Sequence, residues 1–231
     1  MDAPDPVRVF IGADERQPIA LSVLQDSINW RSSRPVSLQL LKLDTLPIIR
    51  RGLTSFTYSR FLVPWLCRFE GSSIFMDADV LVTGDIADLL ACAEPDKYAL
   101  QVMQEQPRFE WPSVMLFNNA RCKTLTPEFI DSTRNNLFDF AWASSVGAFP
   151  KEWNHCVGYT GRDDAAKLHH FTQGIPVWPE TRGNHREDEL WLKQFKHANS
   201  TAPWADLMAR SVHAEATIKK ARIRALGVEC A

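Results

Sequence analysis

The chain has 231 residues, of which 45% are apolar and 23% are charged, and its formal net charge is −2. This composition predicts one compact globular domain and excludes fibrous and disordered proteins. Acidic and basic side chains are interspersed along the sequence, so nothing in the charge pattern indicates binding to nucleic acid or to an acidic polymer. We therefore expect a small-molecule partner.

The predicted elements alternate between strand and helix from the N-terminus onward. Apolar periodicity and capping signals give the following segments. Strands are predicted over residues 7–11, 36–40, 73–76, 98–103, 113–117 and 167–171, and helices over 19–28, 54–68, 85–90 and 127–135. This alternation predicts an α/β fold with a mixed, mainly parallel sheet flanked by helices, in which ligands gather at the carboxyl ends of the strands. Asp14 and Asp77 both follow predicted strands and can both reach that edge.

The last third of the sequence is less regular. An aromatic stretch at residues 138–142 and a Pro- and Trp-containing loop at 174–179 are typical of segments that set acceptor specificity. We expect residues 1–200 to form the single domain. Residues 201–231 are expected to form a helical extension packed on that domain, and its basic cluster suits a helix C-terminus better than a membrane surface.

Features that report on location favour the cytoplasm. No apolar run reaches the roughly 18 residues of a membrane helix, and the N-terminal segment lacks the basic-then-apolar order of a signal peptide. Five scattered cysteines without a C-x-x-C pair argue against a disulfide framework or a thiolate zinc site. We expect reduced thiols and no transmembrane segment, with peripheral attachment to the inner face of a membrane as an alternative.

The sharpest local motif is Asp77-Ala78-Asp79, which follows a buried-looking strand. Two carboxylates separated by a small residue can face one cation, and Mg²⁺ and Mn²⁺ are commonly held by one or two carboxylates together with substrate phosphates. Such an ion would stabilise a departing diphosphate. The same tripeptide also occurs by chance in surface turns, but a buried pair of carboxylates would require a cation or a basic partner.

Two adjacent histidines form a second candidate. His169 and His170 end a strand-like segment, and the alternation of side chains predicts that they point to opposite faces. A neutral imidazole could complete a carboxylate site for manganese, although either residue could equally be a hydrogen-bonded structural histidine. The residues alone leave the choice between them open.

Six segments between residue 7 and about residue 178 occur in a recognisable order. They are VRVFIGAD, FTYSRFLVP, FMDADVLV, SVMLFN, FPKEWN and HFTQGIPVW. In this order they resemble glycosyltransferase family 8 and related bacterial enzymes with the GT-A fold. The resemblance implies a hexosyltransferase of polysaccharide biosynthesis that takes a sugar from a nucleotide-diphosphate sugar, with a UDP-sugar favoured. It further implies a glycan or lipid-linked acceptor and retention of anomeric configuration.

The resemblance also implies roles for individual residues. Mn²⁺, or Mg²⁺ in its place, would be bound by Asp77, Asp79 and His170. The nucleoside would contact Ala13 and Asp14, and the sugar or phosphates would lie against Arg60. The donor set further includes Ala78, beside Asp77, and Gly174, whose lack of a side chain would let the backbone approach the diphosphate.

The chain departs from the family pattern where related enzymes contact the transferred sugar. The segment Trp111-Pro112-Ser113 replaces the usual Asn-x-Gly, and the usual Asp-Gln pair is missing from FAWASSVG. No catalytic nucleophile is therefore assigned, and a front-face route is the simplest hypothesis for retention.

Two alternatives remain at this stage. The first is a catalytically silent protein that binds nucleotide-sugars or glycans, since tryptophan faces stack on sugars, although Trp65, Trp153 and Trp191 lie in patterns that predict burial. The second is a phosphotransferase of the haloacid dehalogenase type, in which the first aspartate of the D-x-D motif would be the nucleophile.

Overall fold

The computed structural model describes residues 5–14, 18–105, 108–161, 163–177 and 180–198. Its strands are β1 (Val7–Gly12), β2 (Val36–Leu41), β3 (Ser72–Met76), β4 (Val80–Val82), β5 (Leu100–Val102), β6 (Val114–Asn118), β7 (Val146–Ala148), β8 (His155–Cys156) and β9 (Leu168–His170). Its α-helices are α1 (Pro18–Arg31), α2 (Val63–Leu66), α3 (Ile86–Ala91), α4 (Pro127–Asp131) and α5 (Asp188–Ala198).

The central sheet has six strands in the order β2-β1-β3-β6-β5-β7. The pairs of β1 with β2, β1 with β3 and β5 with β7 are parallel, whereas β6 runs antiparallel to both of its neighbours. A second, three-stranded sheet has the order β4-β9-β8. The predicted mixed, mainly parallel α/β architecture is confirmed.

Alternation along the central strands creates two apolar faces. Val9 and Ile11 of β1 belong to one buried cluster, together with residues of α1 and α3, while Phe10 belongs to another, together with residues of α4 and of the turns around α2. The same division holds for Ile74 and Phe75 of β3. Alternate side chains of these strands therefore pack into two separate apolar layers, one on each face of the sheet. This is the arrangement of a single domain in which both faces of the sheet are covered.

The predicted helix over residues 54–68 is wrong. The segment forms turns, a 3-10 helix (Ser59–Leu62) and the four-residue α2. Pro64 has no amide hydrogen and cannot continue an α-helix that begins upstream, so it lies in the first turn of α2 instead. Arg68 and Phe69 then adopt positive φ angles of 54° and 59°, which end the segment.

Three smaller expectations also need correction. The predicted helix over residues 127–135 ends at Asp131, where Ser132 turns to an extended backbone. Trp153 and Trp191 are fully buried as predicted, but Trp65 is 37% exposed because the broken segment turns its ring outward. No helix is predicted over residues 188–198, where the structure has α5. Trp191 packs this helix against Ala20 and Val23 of α1.

The proposed extension over residues 201–231 lies outside the described residues, and the boundary at residue 200 therefore stays a prediction. Within the described part of the chain, no helix combines the length and the apolarity that crossing a bilayer requires.

Candidate metal and donor site

The D-x-D motif lies where β3 leaves the central sheet. Asp77 directly follows β3, Asp79 directly precedes β4, and the side chain of Ala78 packs into the core at 2% exposure. The amide of Asp77 donates to the carbonyl of Ser113 at 2.9 Å, which fixes the backbone at this turn. A donor contact at Ala78 would therefore use its backbone, and both flanking carboxylates remain at the sheet edge.

Pairing of the second sheet brings a histidine to these carboxylates. Val80 lies opposite His170 in the antiparallel pair of β4 and β9, and the amide of Phe171 donates to the carbonyl of Asp79 at 2.9 Å. One potential ligand atom from each of Asp77, Asp79 and His170 lies within 4.8 Å of the others. The structure thus brings together the three residues that the sequence analysis put forward as metal ligands.

The two histidines of β9 face different surroundings, as predicted. His170 Nε2 lies 3.3 Å from Asp79 Oδ1. The ring of His169 instead meets the ring of His155 edge to face, with 5.6 Å between centroids. Burial and the neighbouring His155 lower the pKa of His169 to about 4, so this ring is neutral near pH 7. The choice of His170 over His169 is therefore consistent with the geometry.

Arg60 supplies positive charge beside the motif. Its Nη2 lies 3.2 Å from Asp77 Oδ1, its Nη1 donates to the carbonyl of Pro112 at 2.7 Å, and its Nε donates to the carbonyl of Phe56 at 3.3 Å. The side chain is 8% exposed. Arg60 is at the site as expected, but its nitrogens are engaged by protein groups, so what the structure assigns to it is the positioning of Asp77.

The buried charges of the site shift one another's pKa values. Burial raises the pKa of Asp77 to about 7, against the opposing effect of Arg60, and the carboxylate of Asp79 raises it further. Burial lowers the pKa of His170, but the contributions of Asp79, Cys156 and Asp77 together outweigh it and raise that pKa well above its ordinary value. Protons are therefore held where a divalent cation could replace them.

Two carboxylate oxygens retain unused acceptor capacity. Asp77 Oδ1 and Asp79 Oδ1 are buried and accept no hydrogen bond, although each lies close to a cationic nitrogen. The short distances to Arg60 and His170 are thus charge contacts without hydrogen-bond geometry. Buried polar atoms are rarely left in this state. Two free carboxylate oxygens and an imidazole nitrogen form a donor set that fits Mn²⁺ or Mg²⁺.

A cleft of about 550 Å³ opens at the carboxyl ends of β1 and β2. Because Ile11 lies opposite Met76 in the parallel pair of β1 and β3, Asp14 and Asp77 leave the sheet at the same edge. The cleft is lined by Ala13, Asp14, Pro18, Leu21, Lys42, Leu43, Asp44, Arg51 and Ser55. Its walls combine apolar surface with both charge signs and could hold a nucleoside.

Gly174 lies four residues after His170 in the chain. Its φ angle is 112°, a conformation that side chains rarely adopt, and its amide donates to the carbonyl of Phe171 at 2.8 Å. The glycine is therefore required by the turn itself. Its contact with a diphosphate stays a prediction.

The sequence analysis missed one buried group of this site, Glu110. Its side chain is 5% exposed and its Oε2 lies 3.4 Å from His170 Nδ1. No motif marks this residue, and only the 3-10 segment Arg108–Ser113 brings it to β9. A lone acid in an irregular segment gives no periodic signal that could have indicated it.

Comparison with known proteins adds a family to this geometry. Protein CDI of Arabidopsis thaliana is 30% identical over 231 aligned positions, which cover 84% of this chain and 88% of the relative. The chain belongs to the family of Protein CDI. No protein-family model matches the sequence.

Solved structures show which fold this family member adopts. The glycosyltransferase GlyE of Streptococcus pneumoniae TIGR4 superposes with a TM-score of 0.63 at 15% identity, over 94% of this chain and 64% of GlyE. The galactosyltransferase LgtC, solved with donor and acceptor sugar analogues, superposes with a TM-score of 0.55 at 11% identity, over 86% of this chain and 98% of LgtC. This member of the CDI family thus has the GT-A fold of glycosyltransferases, and it spans about two thirds of the length of GlyE.

Proposed function

We propose that this chain is a metal-dependent glycosyltransferase of the family 8 type. It would take a sugar from a nucleotide-diphosphate sugar, with a UDP-sugar favoured, and pass it to a hydroxyl of a glycan or lipid-linked acceptor. The observation that carries the proposal is the convergence of Asp77, Asp79 and His170, with two unsatisfied carboxylate oxygens, beside a cleft at the same sheet edge. The shared fold supports it.

The residues of the site have two proposed roles, which are binding the metal ion and positioning its ligands. Asp77, Asp79 and His170 would hold Mn²⁺ or Mg²⁺, which when bound supplies positive charge for a departing diphosphate. Arg60 keeps Asp77 in place through its ion pair and its two bonds to backbone carbonyls. Fixed charges of this kind stabilise developing charge without reorganisation at the moment of reaction.

The cleft is the proposed place of the nucleoside. Ala13 and Asp14 lie at its wall next to the end of β1, and the carboxylate of Asp14 can accept hydrogen bonds from hydroxyl groups. Lys42 and Arg51 add two cationic side chains to the same lining, which suits a ligand that carries phosphates.

One observation favours a second candidate, a silent binder of glycans or nucleotide-sugars. Trp111 stacks on Phe140 at 6.2 Å with an interplanar angle of 9°, in the segment that replaces the sugar-contacting Asn-x-Gly. Phe140 and the Arg108 guanidinium both lie against this ring, but Trp111 is only partly buried, and its remaining exposed surface could contact a sugar without any chemistry. Release of free nucleotide from a donor sugar by the purified protein would exclude this candidate.

The dehalogenase-type alternative has less support. It requires a second acidic pair that faces the first, and Gly84 to Asp88 is the available G-D-x-x-D segment. Asp85 of that segment caps α3 by accepting the amide hydrogen of Ala87, so its carboxylate is already used by the fold.

A cytosolic location and retention of configuration complete the proposal. The described cysteines, namely Cys67, Cys92, Cys122 and Cys156, are free thiols, which suits a reducing compartment. With a lipid-linked acceptor, the protein would act at the inner face of a membrane. Product analysis by NMR would test retention, and an inverted anomeric centre would contradict it.

A thermal-shift titration tests the donor site directly. The purified chain is heated with a panel of nucleotide diphosphates and nucleotide-sugars, with and without Mn²⁺, beside the double variant Asp77→Ala/Asp79→Ala. A ligand present at a hundred times its dissociation constant stabilises the native state by about 2.7 kcal/mol. We expect the nucleotides of one particular base to raise the midpoint temperature of unfolding. This increase should require Mn²⁺ and should be absent in the double variant.

The matched control is His169→Ala, which alters the neighbouring histidine but no proposed ligand. It should lower the midpoint of the free protein and leave the manganese-dependent increase intact. Absence of stabilisation by every nucleotide with every divalent ion would contradict the proposed function.

A further inference from the structure

Glu110 lies directly behind the histidine of the proposed metal site. Its backbone carbonyl accepts hydrogen bonds from Ser113 Oγ at 2.6 Å and from Asn154 Nδ2 at 3.4 Å. Its carboxylate accepts one from Thr172 Oγ1 at 3.0 Å. Hydrogen bonds therefore fix both the backbone of Glu110 and one oxygen of its buried carboxylate. The second carboxylate oxygen lies 3.4 Å from His170 Nδ1.

The imidazole of His170 is therefore held between two carboxylates. Nε2 faces Asp79 and the metal side, and Nδ1 faces Glu110. A neutral imidazole carries a single N–H, and the partner of one nitrogen decides which nitrogen keeps its lone pair. An ionised carboxylate only accepts hydrogen bonds, so Asp79 and Glu110 each favour a proton on the nitrogen that they face. A cation bound by Asp77 and Asp79 would use the Nε2 lone pair, which leaves the proton of the neutral ring on Nδ1, facing Glu110.

We propose that Glu110 is a positioning residue of the divalent-metal site. Its carboxylate accepts the Nδ1–H of His170 and so presents the Nε2 lone pair to a cation held by Asp77 and Asp79. Partners of this kind orient metal-binding histidines and increase their basicity. The inference rests on the proposed function, because it presupposes that a cation binds at Asp77, Asp79 and His170.

A different use of the same residues makes the opposite prediction. Cys156 Sγ lies within hydrogen-bond geometry of the same Nδ1 at 3.8 Å, whereas Glu110 is a charge contact in this structure. Glu110, Cys156 and His170 also offer ligand atoms within 4.8 Å of one another. If these three held their own cation, Nδ1 would be a ligand and would carry no proton. Cys156 would then matter as much as Glu110.

The test measures manganese binding by the full chain, from the EPR signal of free Mn²⁺. The variants are Glu110→Gln, which keeps the shape and removes the charge, and Cys156→Ala, which changes the other neighbour of Nδ1. We expect Glu110→Gln to weaken Mn²⁺ binding about 10- to 100-fold, the usual effect of losing such a partner. Cys156→Ala should change it less than about threefold, and urea unfolding without metal confirms that both variants fold.

A double-variant cycle separates positioning from general damage. In a His170→Gln background, Glu110→Gln should have no further effect on Mn²⁺ affinity, because Glu110 acts through the imidazole. Full additivity of the two losses, or an unchanged affinity in folded Glu110→Gln, would overturn the inference. An equal loss in Cys156→Ala would overturn it in favour of a separate site.

These measurements distinguish a failure of the proposed metal site from a failure of the role proposed for Glu110. If the unmodified chain binds Mn²⁺ and Asp79→Asn does not, the metal site stands whatever Glu110→Gln shows. If the unmodified chain binds no Mn²⁺, both the site and the inference fail.

Discussion

The aspartates at the end of β3 and the aspartates elsewhere in the molecule use the same functional group differently. Asp131 accepts hydrogen bonds from the amides of Ile49 and Arg50, and Asp85 accepts them from the amides of Ser33 and Ala87. These carboxylates satisfy backbone donors and hold loops and helix ends in place. At the D-x-D motif, in contrast, buried carboxylate oxygens have charge neighbours but no donors. The cation proposed for this site would supply the partner that these two oxygens lack.

The largest loss in the free energy of unfolding is expected for Arg60→Met, because Arg60 contacts both an aspartate of the D-x-D motif and two backbone carbonyls. The substitution removes the cation beside Asp77 and the donors to the carbonyls of Pro112 and Phe56. Without Arg60 the pKa of Asp77, already about 7, rises further, so the buried carboxyl is neutral at neutral pH. The expected cost is that of the hydrogen bonds lost by the two backbone carbonyls, about 1 to 3 kcal/mol each. Urea unfolding without metal at neutral pH measures it.

Arg60→Lys is the matched control for this prediction. It keeps the charge but loses the planar fork, so its free energy of unfolding should fall between those of Arg60→Met and the unmodified chain. A loss below about 1 kcal/mol in Arg60→Met would contradict a structural role for the hydrogen bonds that Arg60 donates to the two carbonyls.

Asp131→Ala should follow in size. It deletes the acceptor for two loop amides, and Arg50 holds the same junction from the other side through the carbonyls of Ile130, Ser132 and Asn135. The bonds from the Ile49 amide are exposed and the bond from the Arg50 amide is partly buried, so we expect a loss of about 0.5 to 1.5 kcal/mol for each amide. Chemical denaturation gives this value, and Mn²⁺ affinity should not change. A loss of Mn²⁺ binding in this variant would contradict the distinction between structural acids and ligand-binding acids.

Asp85→Ala tests a helix cap and its dependence on pH. Burial opposes the ionised form of Asp85, but the hydrogen bonds from Ser33 and Ala87 together outweigh burial and lower the pKa of this carboxyl. A lowered folded-state pKa means that the stabilisation is complete above the ordinary value near about 3.9 and is lost as the pH falls through the folded-state pKa. We expect a loss of about 1 kcal/mol at pH 7.

The difference between Asp85→Ala and the unmodified chain should shrink when unfolding is measured below about pH 4, where the cap becomes protonated. Asp85→Asn is the matched control, because an asparagine caps a helix nearly as well as an aspartate and has no charge to titrate. A difference that is independent of pH would contradict the assignment of the ionised carboxylate as the cap.

The smallest change in stability is expected for Asp79→Asn. The side chain is 22% exposed and accepts no hydrogen bond at Oδ1, and its ion pair with His170 is offset by repulsion from Asp77. Without metal, the free energy of unfolding should change by less than about 1 kcal/mol. In the same protein, Mn²⁺ binding should be lost. A large destabilisation in metal-free protein would place Asp79 among the structural acids.

The sequence alone determined the elements whose signals are local and periodic. A β-branched run specifies β1, alternating apolar residues specify β2, and a continuous apolar run specifies β3. Helical spacing specifies α1, and the acid at residue 85 specifies the start of α3. The motif Asp77-Ala78-Asp79 could be recognised because both acids leave one strand, and His170 because its segment follows the family pattern. The helix predicted over residues 54–68 failed where proline and two residues of positive φ break the local pattern.

Only the tertiary structure decided what depends on contacts distant in sequence. The pairing of β4 with β9 brings His170 to acids some 90 residues earlier, and no periodicity encodes that distance. The burial of Arg60 against Asp77, and the position of Glu110 behind the imidazole, follow from irregular segments folded onto the sheet edge. A side chain in such a segment has no preferred partner until the core has formed, because each of these contacts joins two or more elements.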